Sequence, residues 1–268
     1  MDSTDRLSFI PLTGVRAAVE RFAPVSLAEM TAAALLDRVD TKFTMTVDQL
    51  DSVLARLMSD YRVLSIDGTR ICQYSTVYFD TPDFDIYMQH HNGWSDRYKV
   101  RARRYVDTNV AFFEIKHRTN RNRTIKSRIP LGDVDDALDG TADSFLDSHS
   151  LYHACDLEPK LWNDYLRITL VGLRHVERVT LDLNVAFAWG TSRTLLDGIV
   201  IAEVKQPRIS RMSPFIQQMR RLGVRPASMS KYCTGVARLY PNVKSNNFKP
   251  MLRRIEKLAQ GGRNASVA

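Results

Sequence analysis

The 268-residue sequence lacks the features that mark several common protein classes. Its three cysteines are far apart and form no CxxC pair, which argues against a disulfide scaffold and against zinc or redox chemistry at paired thiols. No apolar run approaches the roughly 18 residues that a membrane-spanning helix needs. Charged residues within positions 1–21 interrupt the place where a signal peptide has its apolar core. These absences predict a cytoplasmic protein with reduced thiols.

Signature loops for nucleotide binding and hydrolysis are also missing. The 12 glycines are scattered and form neither a GxxxxGK phosphate loop nor a GxGxxG dinucleotide fingerprint. No HExxH or GxSxG motif is present. Any phosphate chemistry must therefore rely on another arrangement of residues.

Positive charge is abundant but confined to one segment. Lys and Arg exceed Asp and Glu by eight over the whole chain, and residues 97–128 contain eleven Lys or Arg against only Asp107 and Glu114. A concentrated cationic surface attracts polyanions such as nucleic acid, an acidic membrane or a phosphate-rich small molecule.

The hydrophobic pattern predicts mostly antiparallel strands with interspersed helices. Because there is no regular alternation of strand and helix, an α+β fold with a strongly curved or closed sheet is indicated. Helices are predicted near 15–22, 27–36, 48–59, 83–91, 133–148, 212–222 and 231–239, with weaker amphipathic turns at 251–258. Strands are predicted near 61–67, 70–80, 97–106, 109–117, 123–130, 164–171, 175–189 and 198–205, after a short strand at about residue 43.

Strand alternation places charged side chains on one face of several strands. Lys99, Arg101 and Arg103 share a face, with apolar residues opposite. The same spacing aligns Glu114 with Lys116, Lys126 with Arg128, Arg178 with Asp182, and Glu203 with Lys205. A solvent-facing strand also alternates in this way, but five such strands with strongly apolar opposite faces predict that the charged faces line one lumen.

Such a lumen would hold a multiply charged anion, because the ligand offsets the repulsion among the cations. Glu114 and Glu203 would serve as oxygen ligands for Mg²⁺ or Mn²⁺. Nucleic acid is a weaker candidate, because the cations alternate into a lumen instead of forming an exposed stripe with stacking aromatics.

The motifs together resemble those of one known family, the VTC domain, over about residues 21–240. This domain is the polyphosphate polymerase domain of the vacuolar transporter chaperone family, within the triphosphate tunnel metalloenzyme and CYTH-like superfamily. The motifs are Tyr74–Thr81, Tyr87–His90, Arg97–Arg103, Glu114–Lys116, Arg178–Asp182, Glu203–Lys205 and Ser230–Tyr232.

The resemblance implies a closed eight-stranded antiparallel β-barrel, the triphosphate tunnel, with flanking helices. We expect a single tunnel domain at 26–240, between a lead-in at 1–25 and a basic C-terminal tail at 241–268. A solvated tail is the expected state of the last segment.

The resemblance also implies site residues. Lys42 resembles the first tunnel lysine, Arg101 and Arg103 the paired phosphate-binding arginines, and Glu203 the metal-binding glutamate. Lys116, Lys126 and Arg178 lie where the family has further basic tunnel residues, Lys205 lies beside Glu203 on the same face, and Lys231 resembles the lysine near the tunnel end. Strand alternation adds Lys99 and Arg128 as expected substrate-binding residues. Fungal members carry another lysine where this chain has Ser228.

The implied activity is metal-dependent transfer of the γ-phosphate of ATP onto a growing polyphosphate chain. One alternative is hydrolysis of triphosphate by a tunnel of the same fold, which is disfavoured because Asp40-Thr41-Lys42 replaces the Glu-x-Glu pair of hydrolytic relatives. Another is a non-catalytic polyphosphate-binding module. The expected location is cytoplasmic or peripheral at a membrane, with a membrane protein as a candidate partner.

Overall fold

The computed structural model describes residues 12–32, 38–121, 123–134, 138 and 140–266. The strands are β1 Pro24–Val25, β2 Val39–Thr46, β3 Tyr61–Leu64, β4 Cys72–Asp80, β5 Arg97–Tyr105, β6 Val110–Arg118, β7 Thr124–Leu131, β8 Glu158–Gly172, β9 Arg178–Trp189, β10 Ser192–Leu195 and β11 Ile199–Gln206. The helices are α1 Thr13–Glu20, α2 Leu27–Ala32, α3 Val47–Leu57, α4 Asp85–His91, α5 Thr141–His149, α6 Pro214–Arg221, α7 Lys231–Leu239 and α8 Lys249–Ser266. The lead-in up to residue 11 and parts of the helices predicted at 27–36 and 133–148 lie outside the described residues.

Eight of the strands form one continuous antiparallel sheet in the order β2-β11-β9-β8-β4-β5-β6-β7, which we call the tunnel wall. This confirms the predicted α+β tunnel fold with flanking helices. Within the described residues no backbone ladder joins β2 to β7, the two ends of the order.

The membership of the tunnel wall differs from the strand prediction at two places. β2 is a full strand that pairs with β11 along its whole length, where the sequence predicted only a short strand. β3, predicted over 61–67, ends at Leu64 and pairs with β1 and β8 beside the main order. β2 is a wall strand because Phe43 and Met45 on one side are buried in the core, while Lys42 alternates to the other side.

One face of β2, β8, β9 and β11 is covered by α1, α3 and α6. Helix α3 contributes Leu50, Leu54 and Leu57, which are fully buried. The helix begins at a reciprocal cap in which Thr46 Oγ1 accepts from the Gln49 amide at 3.2 Å and Gln49 Oε1 accepts from the Thr46 amide at 3.0 Å. This covering leaves the opposite, charged face of these strands to the lumen.

Asp80, the last residue of β4, joins α4 and α7 to the tunnel wall. Its carboxylate accepts hydrogen bonds of 2.8 Å from the amides of Thr81, Ile86 and Tyr87, and another from the Tyr232 hydroxyl. A buried carboxylate with this many donors fixes its neighbours, because leaving any of the donors unpaired would be costly.

Helix α7 packs unusually close to the tunnel wall at Gly235. A Cβ added there would lie 2.4 Å from Leu161 Cδ2 and 2.7 Å from Phe187 Cδ1. The missing side chain therefore sets the distance between α7 and the strands β8 and β9, and with it the position of Lys231 and Tyr232 at the start of the helix.

The basic C-terminal segment is more ordered than the sequence predicted. Instead of a turn or two, the chain forms helix α8, which packs against the core through buried Ile255 and partly buried Met251 and Leu258. Burial of this apolar stripe explains why a segment rich in like charges still folds onto the domain. Among the described residues, no helix is both long and apolar enough to cross a membrane.

We predict that Gly235→Ala destabilises the protein by about 1–3 kcal/mol, because the added methyl group overpacks the contact with Leu161 and Phe187. The measurement is thermal or urea unfolding, with a fall of several degrees in Tm. Gly132→Ala is the matched control, since nothing lies within 4 Å of its added Cβ, and a change below about 0.5 kcal/mol is expected there. Equal stability of the two variants would show that α7 does not depend on this close approach.

Candidate functional site

The register of the tunnel wall brings the predicted charged faces together. Lys99 lies opposite Lys116 across β5 and β6, and Lys116 lies opposite Lys126 across β6 and β7. One step further along, Arg101 lies opposite Glu114. Residues directly opposite in an antiparallel pair project to the same side of the sheet. The structure thus places the predicted residues of β5, β6 and β7 on one surface, which lines the lumen.

The predicted orientation of neighbouring arginines in β5 is also observed. Arg104 lies on the side opposite Arg101 and Arg103, where it forms an ion pair with Asp133. Charge of the same type is therefore present on both faces of one strand.

Glu114 is the first of three carboxylates that hold cations in the lumen. It is 1% exposed and lies 2.6 Å from Arg101 Nη2 and 4.0 Å from Arg103 Nη1, and it forms a further ion pair with Lys126. Burial alone would raise its pKa, but these three cations hold the pKa of Glu114 well below its usual range. The carboxylate is therefore ionised and fixes the direction of Arg101.

Asp182 has the same role on the other side of the lumen. Arg167 contacts it with two parallel hydrogen bonds, from Nε at 2.6 Å and Nη2 at 2.9 Å, and Lys231 forms a second ion pair. These cations outweigh burial and keep the pKa of Asp182 well below its usual range. The contact brings α7 to the lumen, because Lys231 is the first residue of that helix.

Glu203 is the third carboxylate, between Lys42 at 3.5 Å and Lys205. Lys42 also donates to the backbone oxygen of Met229 at 3.2 Å. Against the effect of burial, Lys205 and Lys42 hold the pKa of Glu203 well below its usual range. Its side chain keeps 19% of its surface exposed, compared with 1% for Glu114, so an ion carried by a substrate could reach it.

Aromatic rings support the cations at the centre of the lumen. Tyr74 and Tyr165 stack with their ring centroids 5.1 Å apart. The guanidinium groups of Arg103 and Arg167 lie 5.0–5.9 Å from these rings, and the ammonium group of Lys231 lies 4.5 Å from Tyr165. Such contacts favour a cation without neutralising it, so they position charge that remains available to an anion.

Two lysines in the lumen have no ion pair among the described residues. Desolvation by the surrounding wall lowers the pKa of Lys99 to about 7, with Lys42, Lys116 and Arg101 adding to the effect. Desolvation and then Lys42 also lower the pKa of Lys116, although solvent in the lumen still reaches its side chain. An incoming polyanion would relieve both costs.

The two remaining predicted cations, Arg128 and Arg178, also lie on the lumen side of their strands, opposite Glu114 and Lys205. Arg128 stacks on Phe112, with its guanidinium carbon 4.4 Å from the ring centroid. Arg178 lies opposite Lys205, on the lumen side, and its Nη2 donates to the Met30 backbone oxygen at 3.2 Å. Desolvation and then Arg38 lower the pKa of Arg178.

Sequence reasoning missed Arg167 and Tyr165. The predicted strand at 164–171 contained both, and the alternation Tyr165-Leu166-Arg167-Ile168 is the signal that could have identified them. Asp182 was aligned with Arg178 along β9, whereas its ion-pair partners come from β8 and α7. A partner on another strand cannot be found from spacing within one strand.

The donor set fits a divalent cation that arrives with a phosphate ligand. The described residues contain no group of three or more His, Cys, Asp or Glu side chains that could hold a metal ion. Glu203, partly exposed and charged, can offer a hard oxygen donor, and Mg²⁺ is often held by one or two carboxylates together with substrate phosphates. Glu114 fits less well, because it is buried among three cations.

Comparison with a solved structure agrees with the fold. A candidate adenylate cyclase from Bacillus halodurans has a similar structure, with a TM-score of 0.50 and 12% sequence identity over 76% of this chain and 97% of that one. A candidate adenylyl cyclase from Hippeastrum, described as having a dominant triphosphatase activity, gives a TM-score of 0.49 and 11% identity over 75% of this chain and 95% of that one. No curated protein sequence matches the chain.

The match to a protein family is more specific than these structural similarities. The family model of the VTC domain matches residues 37–240. This span contains the whole tunnel wall, whereas the flanking helices α1, α2 and α8 lie outside it. The family match identifies a polyphosphate-related protein with the tunnel fold. The chain belongs to the VTC domain family.

Proposed function

We propose that the protein is a polyphosphate polymerase that transfers the γ-phosphate of ATP onto an inorganic polyphosphate chain inside the tunnel. A terminal oxygen of the chain attacks the γ-phosphorus, the bond to the oxygen bridging the β- and γ-phosphates breaks, and ADP leaves. No protein nucleophile is needed, because this chemistry depends mainly on positioning and on cations around the transferred group.

The observation that carries the proposal is the excess of inward-facing cations over carboxylates. Glu114, Asp182 and Glu203 are each shared between at least two cations, and Lys99 and Lys116 have no ion pair among the described residues. Folding gains nothing from this arrangement, since like charges directly opposite each other are destabilising. Binding of an extended polyanion, by contrast, gains from the clustered cations.

Arg101 and Arg103 are suited to clamp phosphate oxygens. Their planar guanidinium groups can make paired hydrogen bonds, and Glu114 and the tyrosine rings keep them in place. The lysines, by contrast, act as point charges that tolerate a chain moving past them. This division of roles supports a reaction in which the polymer advances after each transfer.

A divalent ion bound with the phosphates would be held by Glu203 and would supply positive charge at the transferring group. Lys42 and Lys205, which contact Glu203 in the described structure, can then turn to phosphate oxygens instead. Glu114 is assigned a positioning role toward Arg101 in preference to metal binding, for the reason given above.

The experiment is to incubate the purified protein with ATP and Mn²⁺ or Mg²⁺ and to analyse the products. We expect ADP and a long polyphosphate chain. Orthophosphate without polymer would indicate hydrolysis. Tight binding of polyphosphate with no turnover would indicate a binding module, and either result would overturn the proposal.

We predict that Arg101→Ala and Arg103→Ala each reduce turnover by a hundredfold or more, because removing a charge aimed at the transition state typically costs about 3 kcal/mol or more. Arg104→Ala should lose less than threefold, because Arg104 pairs with Asp133 on the other face. The measurement is kcat for polymer formation at two salt concentrations. Similar losses in all three variants, disappearing at high salt, would indicate a diffuse basic patch.

We predict that the ligand-free protein becomes more stable as pH rises above 7. The pKa of Lys99 is lowered to about 7 by desolvation, below the ordinary value of about 10.4, so the unfolded chain binds more protons between these values. The gain is at most about 1.4 kcal/mol per pH unit for one proton. Lys126, whose pKa desolvation lowers to about 8, acts in the same direction.

Thermal unfolding from pH 7 to 8.5 measures this dependence, because at higher pH the buried Cys72 thiol, whose pKa desolvation raises to about 11, lowers stability as the unfolded chain loses its proton. Lys99→Met should raise Tm at pH 7 and flatten the slope, and saturating inorganic triphosphate should flatten it as well. Lys249→Met, at an exposed position on α8, is the control and should leave the slope unchanged. An unchanged slope in Lys99→Met would mean that Lys99 does not face the lumen.

A further inference from the structure

Two neighbouring loops at one rim of the tunnel wall carry exposed apolar side chains. The first, residues 173–177, connects β8 to β9, and the second, residues 207–213, follows β11. We call these two loops the apolar rim. They lie side by side because β9 and β11 are paired strands. Arg178, directly after the first loop, lies opposite Lys205, which is the last residue but one of β11 before the second loop.

The apolar side chains of the rim are exposed to an unusual degree. Leu173 is 52% exposed, Val176 69%, Ile209 66% and Met212 67%. Single exposed apolar residues are normal on any protein, but four on two adjacent loops indicate a surface that is covered in use.

The exposed charged side chains of the apolar rim are all positive. Arg174, Arg208 and Arg211 are all exposed and form no ion pair among the described residues. The only acidic residue in either loop is Glu177, which is buried and hydrogen-bonded. Apolar and cationic side chains therefore alternate along both loops without a compensating carboxylate.

The bases of the two loops are held firmly to the domain. Glu177 accepts from Gln206 Nε2 at 2.7 Å and from the Tyr61 hydroxyl, which in turn accepts from the Phe215 amide at 3.1 Å. The amide of Gly172 donates to the Glu177 backbone oxygen at 3.0 Å, which closes the first loop. The exposed tips are thus presented by a fixed base and need little ordering on binding.

We propose that the apolar rim docks the protein onto the surface of an anionic lipid bilayer. Leu173, Val176, Ile209 and Met212 would enter the boundary between headgroups and acyl chains, while the arginines contact lipid phosphates. The proposal does not depend on the polymerase activity, since none of these residues has a role in the lumen.

The combination of residue types selects this partner over two others. A polyphosphate chain leaving the tunnel would be attracted by the arginines but would gain nothing from four exposed apolar side chains. An acidic protein partner would normally meet a larger surface with buried anchor residues, whereas these side chains stand on short projecting loops. Helix α8 is also basic, but its apolar residues Met251, Ile255 and Leu258 are already packed on the core.

The test is cosedimentation of the full chain with vesicles of phosphatidylcholine, alone or mixed with phosphatidylglycerol. We expect binding to the mixed vesicles only. The double variant Ile209→Ser with Met212→Ser should reduce the partition coefficient at least tenfold. Arg208→Gln with Arg211→Gln should reduce it by roughly 25-fold at low salt, about fivefold for each arginine.

Matched controls separate the rim from other surfaces. Leu151→Ser alters an 81% exposed apolar residue outside the rim, and Arg253→Gln with Lys257→Gln removes charge from α8, so both should bind like the unaltered protein. Circular dichroism and turnover of ATP in solution should be unchanged in the rim variants. Absence of binding to anionic vesicles, binding insensitive to the Ile209 and Met212 changes, or equal loss in the α8 variant would each overturn the proposal.

Discussion

The structure depends on keeping many cations close together in a space that only partly admits water. Three carboxylates offset the repulsion among these cations. Glu114, Asp182 and Glu203 each bridge at least two cations, and in every case the favourable charge interaction outweighs the desolvation of the acid. Three carboxylates are too few to neutralise the lumen cations, so an anionic ligand would stabilise the tunnel by binding to it.

The helices determine where this charge is placed. Asp80 fixes the start of α4 and receives the Tyr232 hydroxyl of α7, and Gly235 allows α7 to lie directly on β8 and β9. Because Lys231 precedes Tyr232, the same contacts that stabilise the helix deliver an ammonium group to Asp182. Fold stability and lumen charge are consequently linked at one helix, α7.

Much of the fold could be predicted because strand alternation is a local signal. The faces of β5, β6 and β7 follow directly from sequence spacing, including the opposite directions of Arg103 and Arg104. The bidentate contact between Arg167 and Asp182 could not be predicted, because it depends on the register between β8 and β9, which contains an irregularity between Asp164 and Leu166. The packing of α8 was missed for a related reason: its apolar residues are few, and only the tertiary surface decides whether they are buried.

The exposed edge of strand β7 affects the tendency of the protein to self-associate. The strand ends the hydrogen-bonded order of the described sheet, and most of its residues are exposed. An exposed strand edge invites pairing with another chain, and natural proteins discourage this with lysine, arginine and proline at such edges. Lys126, Arg128 and Pro130 occupy this strand. The basic side chains that face the lumen would therefore also hinder self-association, so neutralising them risks aggregation unrelated to any loss of ligand binding.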